Sequence, residues 1–399
     1  MPSSSQSRLI TSVIVLVFNL LPTSRLAVLP SPAAAQEPVT LDLWIFEDEE
    51  YLLPALKEAF EAEHPNITLE ITLIPEDQYV VKLDTAMAAG SPPDIGFLYE
   101  QRWVKAGKIL SLTDTVDAHG IDLADFNQAV LQGWCVQGDQ VYCLGTYTGA
   151  IVLFYNKALF DAAGVAYPSA TESMTVDEYA ALAAQLGAPS ADVTQRVWGG
   201  TAEAPYWWMN SRTMFSEDGR QTAGLVNDES TKHAYEVLTQ MVVDGVAPSG
   251  SIMESLGTEG PEDLFLQGKV AMAIGSSTGI ENLEAAGIDY GVATLPVEQA
   301  GDPPYVGVWT DAFAVFSDSD HPEEAAEFIA FLGTEGQRLR VEMIGDAPLS
   351  MAAAEEAGWT EQGAVEGREQ FLQVMARQGQ ASSSQVFGTW SRHSRMPST

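Results

Sequence analysis

Residues 39–46 alternate apolar and polar side chains and predict an opening strand. A helical pattern follows over 52–63, a second alternation over 67–74, and a second helical pattern over 78–89 that stops at Gly90. Ser91-Pro92-Pro93-Asp94 then turns the chain into a strand at 95–98. The order strand, helix, strand, helix, strand predicts βαβ units and a largely parallel sheet. Near the middle of the chain, Ile151 to Tyr155 is an unbroken run of β-branched and aromatic residues and predicts a buried strand. Asn156 ends it, and a short helix over 157–163 is closed by Gly164, which accepts positive φ at little cost. Just upstream, Gly145-Thr146-Tyr147-Thr148-Gly149 is polar with small ends, the composition of a hinge. A hinge feeding a buried strand at mid-chain points to two lobes. Beyond it the pattern predicts helices over 175–186, 228–244, 263–266 and 280–286, strands over 270–274 and 290–295, and an amphipathic helix over 323–332.

The first 35 residues read as a secretory signal: Arg8, an apolar run from Leu9 to Leu21, and Ala33-Ala34-Ala35 before Gln36. The run is short for a membrane span, which takes about 20 residues, and no cysteine stands at the cleavage region to carry a lipid. The expected location is therefore outside the cytoplasm, in the periplasm or at the extracellular face of the envelope. The remaining length suits two domains. Hydrophobic residues make up 46% of the chain, enough for sizeable cores, but the net charge is -36. So acidic a chain repels phosphate backbones and anionic lipid, which disfavours membrane surfaces and leaves no nucleic acid among the expected partners. The charge serves solubility, or it attracts a cationic solute such as a polyamine. Cys135 and Cys143, the only cysteines, flank a Gly-Asp turn signal between two candidate strands and would face each other across that hairpin as a disulfide.

One catalytic pattern is present. Gly275-Ser276-Ser277-Thr278-Gly279 fits G-x-S-x-G between a predicted strand and helix, with Asp311 and then His321 or His393 following in triad order. A secreted serine hydrolase using Ser277 is thus the alternative reading. No metal-ligand spacing, Gly-rich phosphate loop or dinucleotide fingerprint occurs, and no metal or cofactor is expected. Aromatic residues are more informative. Trp44, Tyr99, Trp103, Tyr147, Tyr206, Trp207, Trp208, Trp309 and Trp390 fall mostly at strand ends or in loops beside polar residues. Rings so placed stack on the apolar faces of sugars while neighbouring carboxylates and amides bind hydroxyls.

Five segments carry a resemblance. Phe60 to Ile67 resembles an "F-x-x-x-x-P-x-I" motif, Ala88 to Ile95 an "A-x-G-x-x-P-D-V", and Gly107 to Leu112 a "G-x-L-x-P-L". Tyr155-Asn156-Lys157-Ala158-Leu159-Phe160 with Ala163-Gly164 is similar to "Y-N-K-x-L-F-x-x-A-G", and Phe265 to Met272 to "F-x-x-G-K-A-A-M". In that order they resemble the extracellular solute-binding proteins, family 1, of carbohydrate ABC importers, which are maltose-binding-protein-like. Gly145 stands where the family has proline, and Thr175-Val176 lacks the aromatic of the usual Thr-Trp pair. The family continues past the tryptophan near Trp390 into further helices, so the Ser- and Arg-containing tail ending at Thr399 suggests truncation or a shifted frame.

The resemblance implies an α/β, two-lobed periplasmic-binding-protein-like fold of type II, each lobe a largely parallel sheet flanked by helices and joined by hinge crossovers. The expected lobes are 36–146 with 305–348 and 147–304 with 349–399. The implied function is non-enzymatic: a monomeric receptor closes over a sugar or oligosaccharide and delivers it to the importer's permease subunits. Ligands of open α/β sheets bind outside the carboxyl ends of strands. The expected ligand residues are accordingly Phe46, Glu47, Asp48, Tyr99, Glu100, Gln101, Tyr147, Thr148, Tyr206, Trp207, Ser277, Thr278, Trp309, Asp311 and Trp390.

Overall fold

The computed structural model describes residues 37–46, 51–202, 228–258, 260–302, 307–363 and 365–376. The signal segment, Glu47 and Asp48, the aromatic run Tyr206-Trp207-Trp208, and the tail with Trp390 lie outside the described residues.

Strand β1 (Val39–Phe46) buries Leu41, Leu43 and Ile45 completely while Asp42, Trp44 and Phe46 are half-covered and Thr40 is exposed, as a period of two requires. It pairs in parallel with β2 (Ile67–Ile74) along its whole length and with β3 (Ile95–Phe97) at Leu43 and Trp44. Helices Leu53–Glu63 and Glu76–Ala89 make the two crossovers, and Gly90 caps the second in the left-handed conformation with φ 72°. Antiparallel β10 (Phe313–Val315) returns late in the chain to pair with β3, giving the order β10-β3-β1-β2. A small hairpin, β4 (Val136–Gln137) and β5 (Gln140–Val141), stands apart, and a disulfide joins Cys135 to Cys143 around it.

The second sheet is built on β6 (Gly149–Asn156), buried at every residue. A strand covered on both faces reads as continuous apolar sequence, which is why it stood out. Its neighbours are β7 (Met272–Ser276), β8 (Tyr290–Ala293) and β9 (Val308–Trp309), all antiparallel to it. The expectation of a largely parallel sheet therefore needs correcting here. β7 and β8 run the same way and are joined by helix Ile280–Ala285, but they are not adjacent, because β6 lies between them. β6 is fed from the other sheet through the hinge segment, so it runs opposite to the pair it separates. Helix Val176–Leu186 opens with a reciprocal capping box between Thr175 and Glu178 and packs beside helix Glu229–Val243.

Three chain crossings join the sheets. In the first two, 144–150 and 308–313 run antiparallel side by side, tied at Leu144–Phe313, Gly149–Trp309 and Ala150–Val308. The third, 345–350, lies against the first: the Thr148 amide donates to the Ala347 carbonyl at 2.7 Å, and Phe126 bridges to Ser350. Beyond it, helix Val365–Ala376 packs on β8, with Arg368 paired to Glu284 at 2.8 Å.

Candidate ligand-binding cleft

A cavity of about 440 Å³ opens where the three crossings meet the carboxyl ends of β1, β3 and β7. Its size lies in the range of small-molecule sites. One wall is aromatic. Phe46 ends β1 and packs 4.8 Å from Phe97, centroid to centroid, and edge-on to Tyr99 at 5.5 Å. Trp134 continues the wall 6.4 Å from Phe97, and its indole N–H donates to the Val308 carbonyl at 2.9 Å. Tyr99 donates its hydroxyl to Glu76 at 3.2 Å, which fixes the ring and leaves a carboxylate at the rim. The crossings supply Tyr147, Trp309, Thr310 and Asp346, helix Gln337–Ile344 supplies Arg340 and Ile344, and the turn after β7 supplies Thr278. Tyr51 completes the lining.

The floor is a buried polar cluster. Asp311, 1% exposed, accepts the Thr146 amide at 2.6 Å and the Thr146 hydroxyl. Arg340, 2% exposed, donates from Nη1 to Asp311 at 3.2 Å and from Nε to Asp346 at 2.8 Å. Its guanidinium also lies 3.8 Å from the centre of the Tyr147 ring, well within cation–π range. Arginine suits this place because its planar fork serves two carboxylates and stacks at once. Glu281, half-buried against Gly345, has its carboxyl pushed up to about 7, chiefly by burial and then by the charge of Asp346.

Of the residues expected at the site, Phe46, Tyr99, Tyr147, Thr278 and Trp309 line this one cavity. Glu47, Asp48, Tyr206, Trp207 and Trp390 lie outside the described residues, and the remaining expected residues take supporting positions. Gln101 donates its amide to the Trp134 carbonyl at 2.6 Å, and Glu100 pairs with Arg102 at 3.5 Å. Thr148, in the first crossing, is buried with its hydroxyl 3.4 Å from the Pro348 carbonyl of the third. Ser277 is 6% exposed, and its hydroxyl accepts the Ala150 amide at 2.9 Å. That is not the exposed serine of a nucleophile elbow, and Asp311, its expected partner in a triad, is engaged by Thr146 and Arg340. The sequence reading did not single out Tyr51, Glu76, Phe97, Trp134, Thr310, Arg340, Ile344 or Asp346. Trp134 had a signal, adjacency to the disulfide, whereas Arg340 is recognisable only once its partners are brought together.

Two α/β sheets joined by three crossings, with a ring-lined cleft at the junction, define a two-lobed binding protein. The chain belongs to the family described as bacterial extracellular solute-binding protein, whose sequence model matches residues 46–339. A binding protein of Brucella abortus (strain 2308) is 30% identical over 288 residues, covering 69% of this chain and 67% of that protein. Among solved structures, an ABC substrate-binding protein from Listeria monocytogenes in complex with cycloalternan superposes with a TM-score of 0.70 at 23% identity, covering 88% of this chain and 90% of that one. The sugar-binding protein MalE from Xanthomonas citri gives 0.68 at 17% identity, covering 88% and 91%. The fold is thus that of the type II periplasmic binding proteins.

Proposed function

We propose that the protein is an extracytoplasmic carbohydrate receptor that acts as a monomer and delivers a sugar or oligosaccharide to the permease of an ABC importer. The observation that carries this reading is the contiguous wall Phe46, Phe97, Tyr99, Trp134 with Tyr147 and Trp309 opposite polar groups, in one cavity at the crossings. Rings stack on the apolar faces of pyranoses, and polar groups at the rim fix orientation. The likeness to a cycloalternan complex and to a sugar-binding protein supports the same reading. In it, 36–146 with 305–348 and 147–304 with 349–399 rotate about the crossings, and the permease reads the closed form.

The test is calorimetric titration, with tryptophan fluorescence in parallel, against glucose, maltose, maltotriose, a galacto-oligosaccharide, putrescine and an activated ester. Saturable binding of a sugar without turnover is expected, with a change in emission because Trp134 and Trp309 line the cavity. Binding of putrescine alone would make this a receptor for cations, and ester turnover lost on Ser277→Ala would make it a hydrolase. Trp134→Ala should weaken sugar binding by about 1–3 kcal/mol, the scale of an anchoring ring.

A further inference from the structure

Arg340 touches each crossing. Its Nη1 lies 3.3 Å from the Thr146 hydroxyl and its ring contact is Tyr147, both in the first crossing. Asp311 belongs to the second and Asp346 to the third. Nη2 reaches the Tyr51 hydroxyl at 3.4 Å, on the side of the first sheet. Arg340 also lines the cleft, together with Tyr147, Thr310 and Asp346. The cation that organises the crossings is therefore part of the surface a ligand would meet.

We propose that Arg340 is the positioning residue that couples ligand occupancy to the angle between the lobes; this rests on the receptor function proposed above. Rotation of the lobes must be absorbed by φ/ψ changes within 144–150, 308–313 and 345–350. A rigid planar fork bonded to one acid on each of the second and third crossings, and stacked on a ring of the first, can keep all of its partners only over a narrow range of angles. Ligand contact with Tyr147, Thr310 or Asp346 shifts the same groups that set this range. A ligand can move a conformational equilibrium only by such a difference in contacts between the two states. Asp311 then acts through Arg340 and Thr146 and not by touching the ligand.

The test uses the full chain with spin labels on Val81→Cys and Val243→Cys, both exposed and neither lining the cleft, and compares the wild-type background with Arg340→Lys and Asp346→Asn. Arg340→Lys keeps the charge and loses the fork. Asp346→Asn keeps the Asp311 pair and serves if the first variant does not fold. Without any ligand, the inter-label distance distribution should broaden in both variants. With saturating maltotriose, the wild type should shift to shorter distances, while the variants shift less and bind roughly tenfold or more weakly. All measurements are made well below each variant's melting temperature. Lower melting with unchanged distances and unchanged affinity would assign Arg340 a purely structural role and overturn the proposal. If the wild type binds neither maltotriose nor any other sugar of the panel, the receptor reading fails for sugars, and the ligand-free distributions still decide whether Arg340 sets the hinge.

Discussion

Gly149, where the first crossing becomes β6, lies against the indole of Trp309: a Cβ there would be 2.2 Å from the ring. Gly149→Ala must therefore displace Trp309 or shift the ladder at Gly149–Trp309. The expected cost is about 1–3 kcal/mol of stability, the scale of overpacking, with a change in tryptophan emission and weaker ligand binding. Normal melting and emission would show that the crossing adjusts freely. Glu281 offers a second prediction at this scale. Its carboxyl oxygen packs so closely on Gly345 that a Cβ there would be 2.0 Å away, and it faces Asp346 and Glu284 as well as Arg368 and Arg340. Its pKa is raised from 4.5 to about 7. A carboxyl that is a weaker acid in the folded state than in the unfolded one contributes stability below its unfolded pKa and loses it as pH rises through the folded value. The melting temperature should therefore fall between about pH 5 and 8, and Glu281→Gln should flatten the fall. His119 and His233, each raised by hydrogen bonding and a facing acid, titrate in the same direction. Only the difference between wild type and Glu281→Gln isolates Glu281, and parallel profiles would reject it as the source.

At the scale of elements, the disulfide and the cleft wall share a backbone. Cys135 follows Trp134 and ends a π turn, Leu131–Cys135, while Cys143 precedes Leu144, where the first crossing is tied to Phe313. Replacing both cysteines by serine should cost about 2–3 kcal/mol by the loop-entropy estimate. It should also loosen Trp134, so sugar affinity falls in the folded protein; loss of stability with unchanged affinity would confine the bridge to the hairpin. Elements with a strong local code were legible in the sequence: β1 from its alternation, β6 from its apolar run, helix Val176–Leu186 from its helical pattern. The direction of β6 relative to β7 and β8 was not, because it depends on which sheet the chain has just left. The cleft divides similarly. Phe46, Tyr99 and Trp309 could be picked out as rings at strand ends, whereas Arg340 meets Thr146 and Asp311 only through the fold, from 194 and 29 residues away in sequence. No periodicity reports a contact of that kind.

At the scale of the whole molecule, charge and closure oppose each other. The net charge is -36, and acids outnumber bases both in 36–146 with 305–348 and in 147–304. In the proposed closure two acidic bodies come together, so part of the ligand's binding free energy would offset their mutual repulsion. Salt screens that repulsion, with a Debye length of about 10 Å at 0.1 M and about 3 Å at 1 M. A neutral sugar carries no charge of its own to be screened. Its affinity should therefore rise with sodium chloride, and the ligand-bound radius of gyration measured by small-angle scattering should fall slightly further below the unliganded one. A cationic solute held by the cleft carboxylates would show the opposite trend, because screening then weakens the attraction that holds it. Calorimetry of the tightest-binding sugar across a salt series, paired with scattering at each concentration, reads both quantities. Affinity that falls with salt would point to a charged ligand, and a radius of gyration indifferent to saturating ligand would remove closure from the mechanism.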